Sequence, residues 1–400
     1  MRVSGRVRRG LIGCAGVFAA ALVLGGTAQD GGAGGAETVS REEAIRAGIA
    51  RIVAMEESDP NADGRHARGE WPYEGVYRVR GQIPIGYRVG GTAIAILAMT
   101  REPGYAEDAA RRDAVARGVE FVCASIGHPL MSIEEYDGGY DVRGWGYTYG
   151  LMMLAELKQR GLIPEAHKDA SEKAWAFFLE GIEGTEIPEV GGWNYARGPG
   201  REKVSPPSTF MTGPTLQALF VAERAGIDVD DAMIERGLKY LESASAETGE
   251  FVYSGDGARG AGGVPGATGR MLACETTLML AGRGSVARVR SALDAFIAHW
   301  DRLEERRKQN GTHVAPFGVA PYYFYFAHYY AAVAVEMMPA KERREYRKQV
   351  EELIFRTRDA DGTWNDRVFD RSANYGTSMA VMGLLMRDAG MPVGWARVGE

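Results

Sequence analysis

"RGVEFVCASIGHPLMSIEEYDGGYDVRGWGYTYGLMMLAEL", residues 117–157, passes from a charged segment through a Gly-Gly-Tyr turn into one with almost no charge. Its first residues end a stretch, 106–125, in which apolar residues recur at helical spacing and Arg, Asp and Glu fill the other face. That pattern predicts a helix with one face in water. Residues 146–159 are apolar nearly all round, which predicts a helix buried on every side. A charged helix followed by an apolar one cannot bury its own apolar surface alone, so neighbours of the same kind are required.

The chain supplies them. Charged helices are expected at 41–57, 106–125, 166–182, 229–244, 286–309 and 340–357, and apolar ones at 90–100, 146–159, 211–224, 270–281, 322–337 and 374–387. Five of the intervening turns share a Gly-x-aromatic form: "GEW" (69–71), "GGY" (138–140), "GGW" (191–193), "GEF" (249–251) and "GTW" (362–364). The sixth, "APFG" around Phe317, is degenerate. A period of roughly 50 to 70 residues signals a repeat architecture in which each unit covers the next. Six such pairs predict an all-α (α/α)6 toroid over residues 41–390, with apolar helices inside. No strand pattern stands out, and "FVYSG" (251–255) is expected to pair only locally.

Composition narrows the partners. With 400 residues, 45% of them hydrophobic, and a net charge of -6, the chain can bury a large core and offers no basic surface for a polyanion. Nucleic acid is therefore excluded as an expected partner. "MRVSGRVRRG" followed by "LIGCAGVFAAALVL" and "GTA" has the basic, apolar and small-residue regions of an export signal, expected to span 1–28. This places the mature chain outside the cytoplasm, secreted or periplasmic, and anchors it if uncleaved. A flexible linker is expected at 29–40 and a C-terminal tail at 391–400, with no membrane span in the mature chain. Removal of Cys14 would leave Cys123 and Cys274, too few for a disulfide framework.

The repeat has a finer grammar. "RGVEFV" (117–122) leads to "GGY", "RGLKYL" (236–241) leads to "GEF", and "EKAWAFFL" (172–179), lacking the Gly, leads to "GGW". A basic residue with Gly, then an aromatic and an aliphatic, then a distal Gly-x-Trp resembles the prenyltransferase and squalene-cyclase repeat family, although its Gln is absent. The resemblance implies the toroid of terpenoid cyclases and protein prenyltransferases, and it directs attention to their chemistries. The cyclases' D-x-D-D spacing occurs at Asp228, Asp230 and Asp231, but at the start of a charged helix, where Asp228 is expected to act as N-cap. The zinc site of the prenyltransferases would require Asp, Cys and His. Cys274 has Leu272 where the Asp belongs, and His328 lies on the next apolar helix, so no metal and no cofactor are expected.

Ionisable residues on apolar helices and in the turns remain as candidates: Glu275, His328, Asp256 and Asp141. Around the mouth of the ring the sequence places Trp71, Tyr73, Tyr87, Tyr140, Trp145, Tyr147, Trp193, Tyr195, Tyr253, Tyr322, Tyr325, Trp364 and Tyr375. Such rings wedge repeats together, stabilise a cation or stack on sugars. The leading expectation is an exported toroid whose aromatic-lined cavity binds a hydrophobic small molecule, a glycan or an extracytoplasmic protein without catalysis. One alternative is a terpenoid-cyclase-type enzyme protonating through Asp141, Asp256 or Glu275. Another is a glycan hydrolase or lyase, for which Glu135, Asp137, Asp141, Asp256 and Asp366 could supply the two carboxyl groups. The unpatterned stretch 192–210 is the longest loop and a candidate lid.

Overall fold

Ser40 begins the first helix with a capping box: its hydroxyl accepts the Glu43 N–H, and the Glu43 carboxylate accepts the Ser40 N–H at 2.9 Å. From that point a computed structural model describes residues 39–57, 69–187, 190–195, 206–255, 263–318 and 323–395. The export signal, Asp256, Tyr322 and much of the 192–210 loop lie outside the described residues.

All twelve expected helices form. The charged ones are α1 (Arg41–Ala54), α3 (Ala109–Ala124), α5 (Lys168–Thr185), α7 (Asp231–Ser243), α9 (Val286–Arg307) and α11 (Ala340–Arg356). The apolar ones are α2 (Ile85–Arg101), α4 (Arg143–Gln159), α6 (Thr209–Arg224), α8 (Gly263–Leu280), α10 (Phe324–Glu336) and α12 (Ser372–Ala389). Each even-numbered helix packs on the next, and α12 packs back on α2, so the inner ring closes. The odd-numbered helices lie against it: α1 on α12 and α2, α3 on α2, α5 on α4, α7 on α6 and α8, α9 on α8 and α10, and α11 on α10. The fold is the expected (α/α) toroid. Among the described residues there are no strands, only isolated bridges, one of which pairs Phe251 with Ser245.

One local start differs from expectation. Asp230, not Asp228, caps α7, its carboxylate accepting the Ala232 N–H at 2.9 Å, while Asp228 lies exposed before it. The acidic run caps an outer helix, as its setting suggested.

The Gly-x-Trp turns are inter-repeat clamps. Trp71, Trp193 and Trp364 each donate the indole N–H to a carbonyl at the end of the preceding outer helix: Ile52 at 2.6 Å, Ile182 at 2.8 Å and Ile354 at 2.9 Å. Each also donates its backbone N–H to a threonine on the following inner helix, Thr92, Thr212 or Thr377, at 2.9–3.0 Å. The indole then rests on a glycine of the next outer helix. A Cβ at Gly118 would meet Trp71 at 3.1 Å, one at Gly237 would meet Trp193 at 2.9 Å, and one at Gly48 would meet Trp364 at 3.3 Å. This explains the Arg-Gly of the repeat: the glycine admits the ring, and the arginine beside it pairs with the previous repeat. Arg117 binds Glu56 at 2.5–2.6 Å and Arg236 binds Glu186 at 2.7 Å. The turn glycines Gly69 and Gly191 adopt φ of 91° and 74°, and a Cβ on either would lie 2.4–2.5 Å from the Arg117 or Arg236 carbonyl. Only glycine fits there. The contact of Trp364 with Gly48 uses the same device to close the ring.

Candidate functional site

Inside the ring, at the end where the inner helices begin, side chains converge on Tyr73. Its ring centroid lies 4.9 Å from Tyr375, 5.3 Å from Tyr87, 5.4 Å from Tyr323 and 5.7 Å from Trp145. These offset and edge contacts are the favoured geometry for aromatic pairs. The five rings are all buried and fill the lumen at this level. Above them the Tyr87 hydroxyl shares a hydrogen bond of 3.0 Å with Tyr140 and one of 3.3 Å with Tyr323. Tyr140 in turn stacks on Tyr77, with centroids 3.8 Å apart and planes 13° from parallel, and both rings are half exposed. A path of phenols thus runs from the surface to the plugged lumen.

Beneath this plug sits Asp366, fully buried. It accepts the Tyr325 backbone N–H at 2.8 Å and the Tyr73 hydroxyl at 3.5 Å. Burial pushes its carboxyl up to about 7, against the opposing pull of the Tyr325 amide and of Arg367 and Arg307. A carboxyl poised there holds a proton at neutral pH in a substantial fraction of molecules, which suits a general acid. It also caps the start of α10 from the neighbouring repeat.

The other sequence candidates are placed differently. Asp141 is spent on the start of α4: it pairs with Arg143 at 2.9 Å and accepts the Arg143 backbone N–H at 3.0 Å. Glu275 points from α8 towards α9, where one oxygen meets Arg288 at 2.9 Å and the other, buried, has no hydrogen-bond partner. Burial raises its carboxyl, and Arg288 counteracts this. His328 is pinned at both nitrogens: Nε2 accepts the Trp300 indole N–H at 2.7 Å, and Nδ1 donates to the Phe324 carbonyl at 2.9 Å. Burial lowers it to about 3, so the ring stays neutral. Cys274 is buried, a free thiol against the Thr209 carbonyl, and Cys123 is likewise free and buried.

Of the aromatic residues expected at the mouth, Tyr73, Tyr87, Tyr140, Trp145 and Tyr375 come together. Trp71, Trp193 and Trp364 are the clamps. Tyr147 donates to the Met131 carbonyl at 2.7 Å, and Tyr325 shares a bond of 2.9 Å with the Thr357 hydroxyl at the end of α11. Tyr253 is half-buried under the Arg270 guanidinium at 5.4 Å, with its ring edge-on to His313 at 5.6 Å. Tyr323 and Tyr77 were not among the expected residues. In the run "PYYFYFAHYY" nothing in the spacing distinguishes Tyr323 from its neighbours, and only the start of α10 at Phe324 turns it inward.

No protein-family model matches the chain, and no curated protein does. Solved structures do share the fold. The glucoamylase of Hormoconis resinae aligns with a TM-score of 0.56 at 12% identity, covering 88% of this chain and 74% of that one. The unsaturated glucuronyl hydrolase of Bacillus sp. GL1, described as responsible for glycosaminoglycan degradation, aligns at 0.54 and 11%, covering 90% and 100%. The α-1,6-mannanase GH76A of Salegentibacter sp. HEL1_6 aligns at 0.52 and 11%, covering 86% and 99%. Identities this low establish the helical toroid and nothing finer. No helix among the described residues is long and apolar enough to cross a membrane.

Proposed function

We propose that this chain is a glycan-active toroid, binding a sugar chain on the rim formed by Tyr77 and Tyr140 and hydrolysing a glycosidic bond with Asp366 as the proton donor. The observation that carries the reading is the stacked, half-exposed Tyr77–Tyr140 pair above a buried acid held at about 7. Flat aromatic faces stack on the C–H faces of a pyranose, while the phenol hydroxyls hydrogen-bond its rim. A proton donor of raised pKa is one of the two carboxyl groups that glycoside hydrolysis uses. It protonates the leaving oxygen as the glycosidic bond breaks, while water adds to the anomeric carbon and gives its proton to a second base, which this reading leaves unassigned. Asp366 lies beneath the buried Tyr73 ring, so its action on a bound glycan requires that ring to move. The glycan hydrolases among the similar structures support this choice of substrate class, and export through residues 1–28 would bring the chain to extracytoplasmic polysaccharide.

The test separates binding from chemistry. Affinity electrophoresis against a panel of mannans, glucans and glycosaminoglycans should retard the wild type, and Tyr140→Ala should abolish the retardation. Asp366→Asn should keep the binding and lose reducing-sugar release by at least a hundredfold. Undiminished release by D366N would reduce Asp366 to a helix cap, and absence of retardation by every polysaccharide would end the reading altogether.

A second reading has one observation in its favour. A protonatable acid among packed aromatic rings is also what a terpenoid-cyclase-type enzyme needs, since the rings stabilise a carbocation. The resemblance of the repeats to squalene cyclases points the same way. The five buried rings around Tyr73 cover Asp366 against a polyene as they do against a glycan, so either reading requires them to move. Conversion of a squalene-like alkene by the wild type, lost in D366N, would favour it.

A further inference from the structure

At the opposite end of the ring the ends of α2, α4, α6 and α12, with Tyr329 of α10 and residues 389–393, line a cavity of about 290 Å³. Its polar wall is built from three charged groups. Arg101 donates to both oxygens of Glu156, at 3.0 and 2.7 Å, and also to the Tyr329 hydroxyl and the Met382 sulfur, each at 3.3 Å. Arg160 donates to the same Glu156 carboxylate at 3.3 Å and to the Thr100 carbonyl at 2.6 Å. Burial works against the charge on both partners of the central pair. Their mutual attraction wins: Arg101 lies above its ordinary value and Glu156 below.

Two guanidinium groups therefore share one carboxylate, leaving the wall with one unneutralised positive charge. Among the described residues, no other lining residue is charged. The facing wall is apolar: Val221, Met382, Met386, Met391 and Val393. The last two belong to the C-terminal segment, which crosses this end of the ring and is held there by Trp395. Its backbone N–H donates to the Leu280 carbonyl at 3.1 Å, and its ring lies parallel to Phe220 at 6.3 Å. Met391, 55% exposed, is thus held over the opening with no core of its own to join.

We propose that this cavity is a binding site for a small amphipathic monocarboxylate, its carboxylate paired with the surplus charge of Arg160 and its hydrocarbon body against the thioethers. A guanidinium suits a carboxylate because its planar donors match the two oxygens. Methionines adapt to an irregular apolar body. The volume equals that of about ten waters at ~30 Å³ each, room for a medium-chain fatty acid. The site lies away from Tyr140 and Asp366, so it stands whether or not the glycan reading does.

Isothermal titration of the full chain with octanoate tests this, with 1-octanol as the uncharged probe of equal length. Octanoate should bind saturably at one site, and octanol at least tenfold more weakly. Arg160→Gln should weaken octanoate at least tenfold and leave octanol unchanged, and Met386→Trp, which fills the cavity, should abolish binding of both. Arg160 is exposed, so R160Q remains informative even if M386W fails to fold. No saturable octanoate binding at millimolar concentration, equal affinity for octanol, or undiminished octanoate binding by R160Q would each overturn the proposal.

Discussion

The turns around Trp193 and Tyr140 are written almost identically, Gly-Gly-Trp and Gly-Gly-Tyr, yet they do different work. Trp193 is buried, bonded at both nitrogens and wedged on Gly237. Tyr140 is half exposed and faces Tyr77 and Tyr87 at the mouth. Its junction is filled instead by Tyr147, whose ring packs on Gly181 of the next outer helix, where a Cβ would meet it at 2.7 Å. A clamp taken over by another residue releases the turn aromatic towards solvent. The turns that carry Trp hold the ring together, and the Gly-Gly-Tyr turn instead supplies Tyr140 to the rim, as expected where local rules yield at functional positions.

The sharpest way to break that contrast is to truncate both rings. Trp193→Ala removes a buried indole and opens a cavity between repeats, and should cost about 3–5 kcal/mol in urea or guanidinium unfolding. Tyr140→Ala should cost less, about 1–2 kcal/mol in the same assay, because its ring is only partly buried and wedges no glycine of the next repeat. Equal losses would mean that Tyr140 is a clamp after all, and the rim would lose its anchor.

Two buried titratable groups extend the comparison to pH. The carboxyl of Asp366 is raised by burial from 3.8 to about 7 in the folded chain. Its favourable contribution is therefore complete below the unfolded value and is lost as pH climbs through about 7. His328 is lowered by burial from 6.5 to about 3, so between those values the unfolded chain binds the extra proton and stability falls with falling pH. Each group contributes a slope of at most about 1.4 kcal/mol per pH unit within its window. Asp366→Asn should flatten the decline towards pH 7, and His328→Gln the decline below pH 6.5, both read from unfolding midpoints across pH 4–8. A wild-type profile without either slope would show that water reaches both groups.

The sequence carried the toroid because burial on every side and the Gly-x-aromatic turns are local patterns. Helices α4 and α8 are apolar all round however the ring is arranged, and Gly237 sits beside Arg236 in the text as it does in space. The site was less legible because it is assembled across the closure. Asp366 comes from the last repeat, Tyr73 from the first and Tyr323 from the fifth, and no spacing along the chain brings them together. Glu275 and His328 stood out as polar residues on apolar helices, but that signal reports burial and not direction. One points to α9, and the other is satisfied by Trp300 and Phe324. The 12% and 11% identities to known toroids fit the same division, with packing kept and side chains exchanged.

Smaller changes sharpen the account of the clamp itself. Gly237→Ala gains about 1 kcal/mol of helix propensity. However, its Cβ would stand 2.9 Å from Trp193 and 3.0 Å from Leu216, and overpacking of that kind costs about 1–3 kcal/mol. The net should be a loss of about 1 kcal/mol, and in the Trp193→Ala background the same substitution should instead stabilise. That reversal of sign is the evidence that the ring and the glycine act as a pair.

Tyr147→Phe asks how much of a clamp resides in its polar tip. The hydroxyl donates to the Met131 carbonyl at 2.7 Å in a fully buried setting, and its removal leaves that carbonyl to find water at the edge of the 3₁₀ turn Pro129–Met131. One such bond is worth about 1 kcal/mol net, whereas the ring, retained in Phe, still covers Gly181. A loss near 1 kcal/mol in urea unfolding, with glycan retardation unchanged, would make Tyr147 the structural stand-in for the missing tryptophan. A larger loss accompanied by loss of binding would mean that Tyr147 also holds the 132–142 segment, and with it Tyr140, in place. The two turns would then be coupled, and the division between clamp and rim would run through this one hydroxyl.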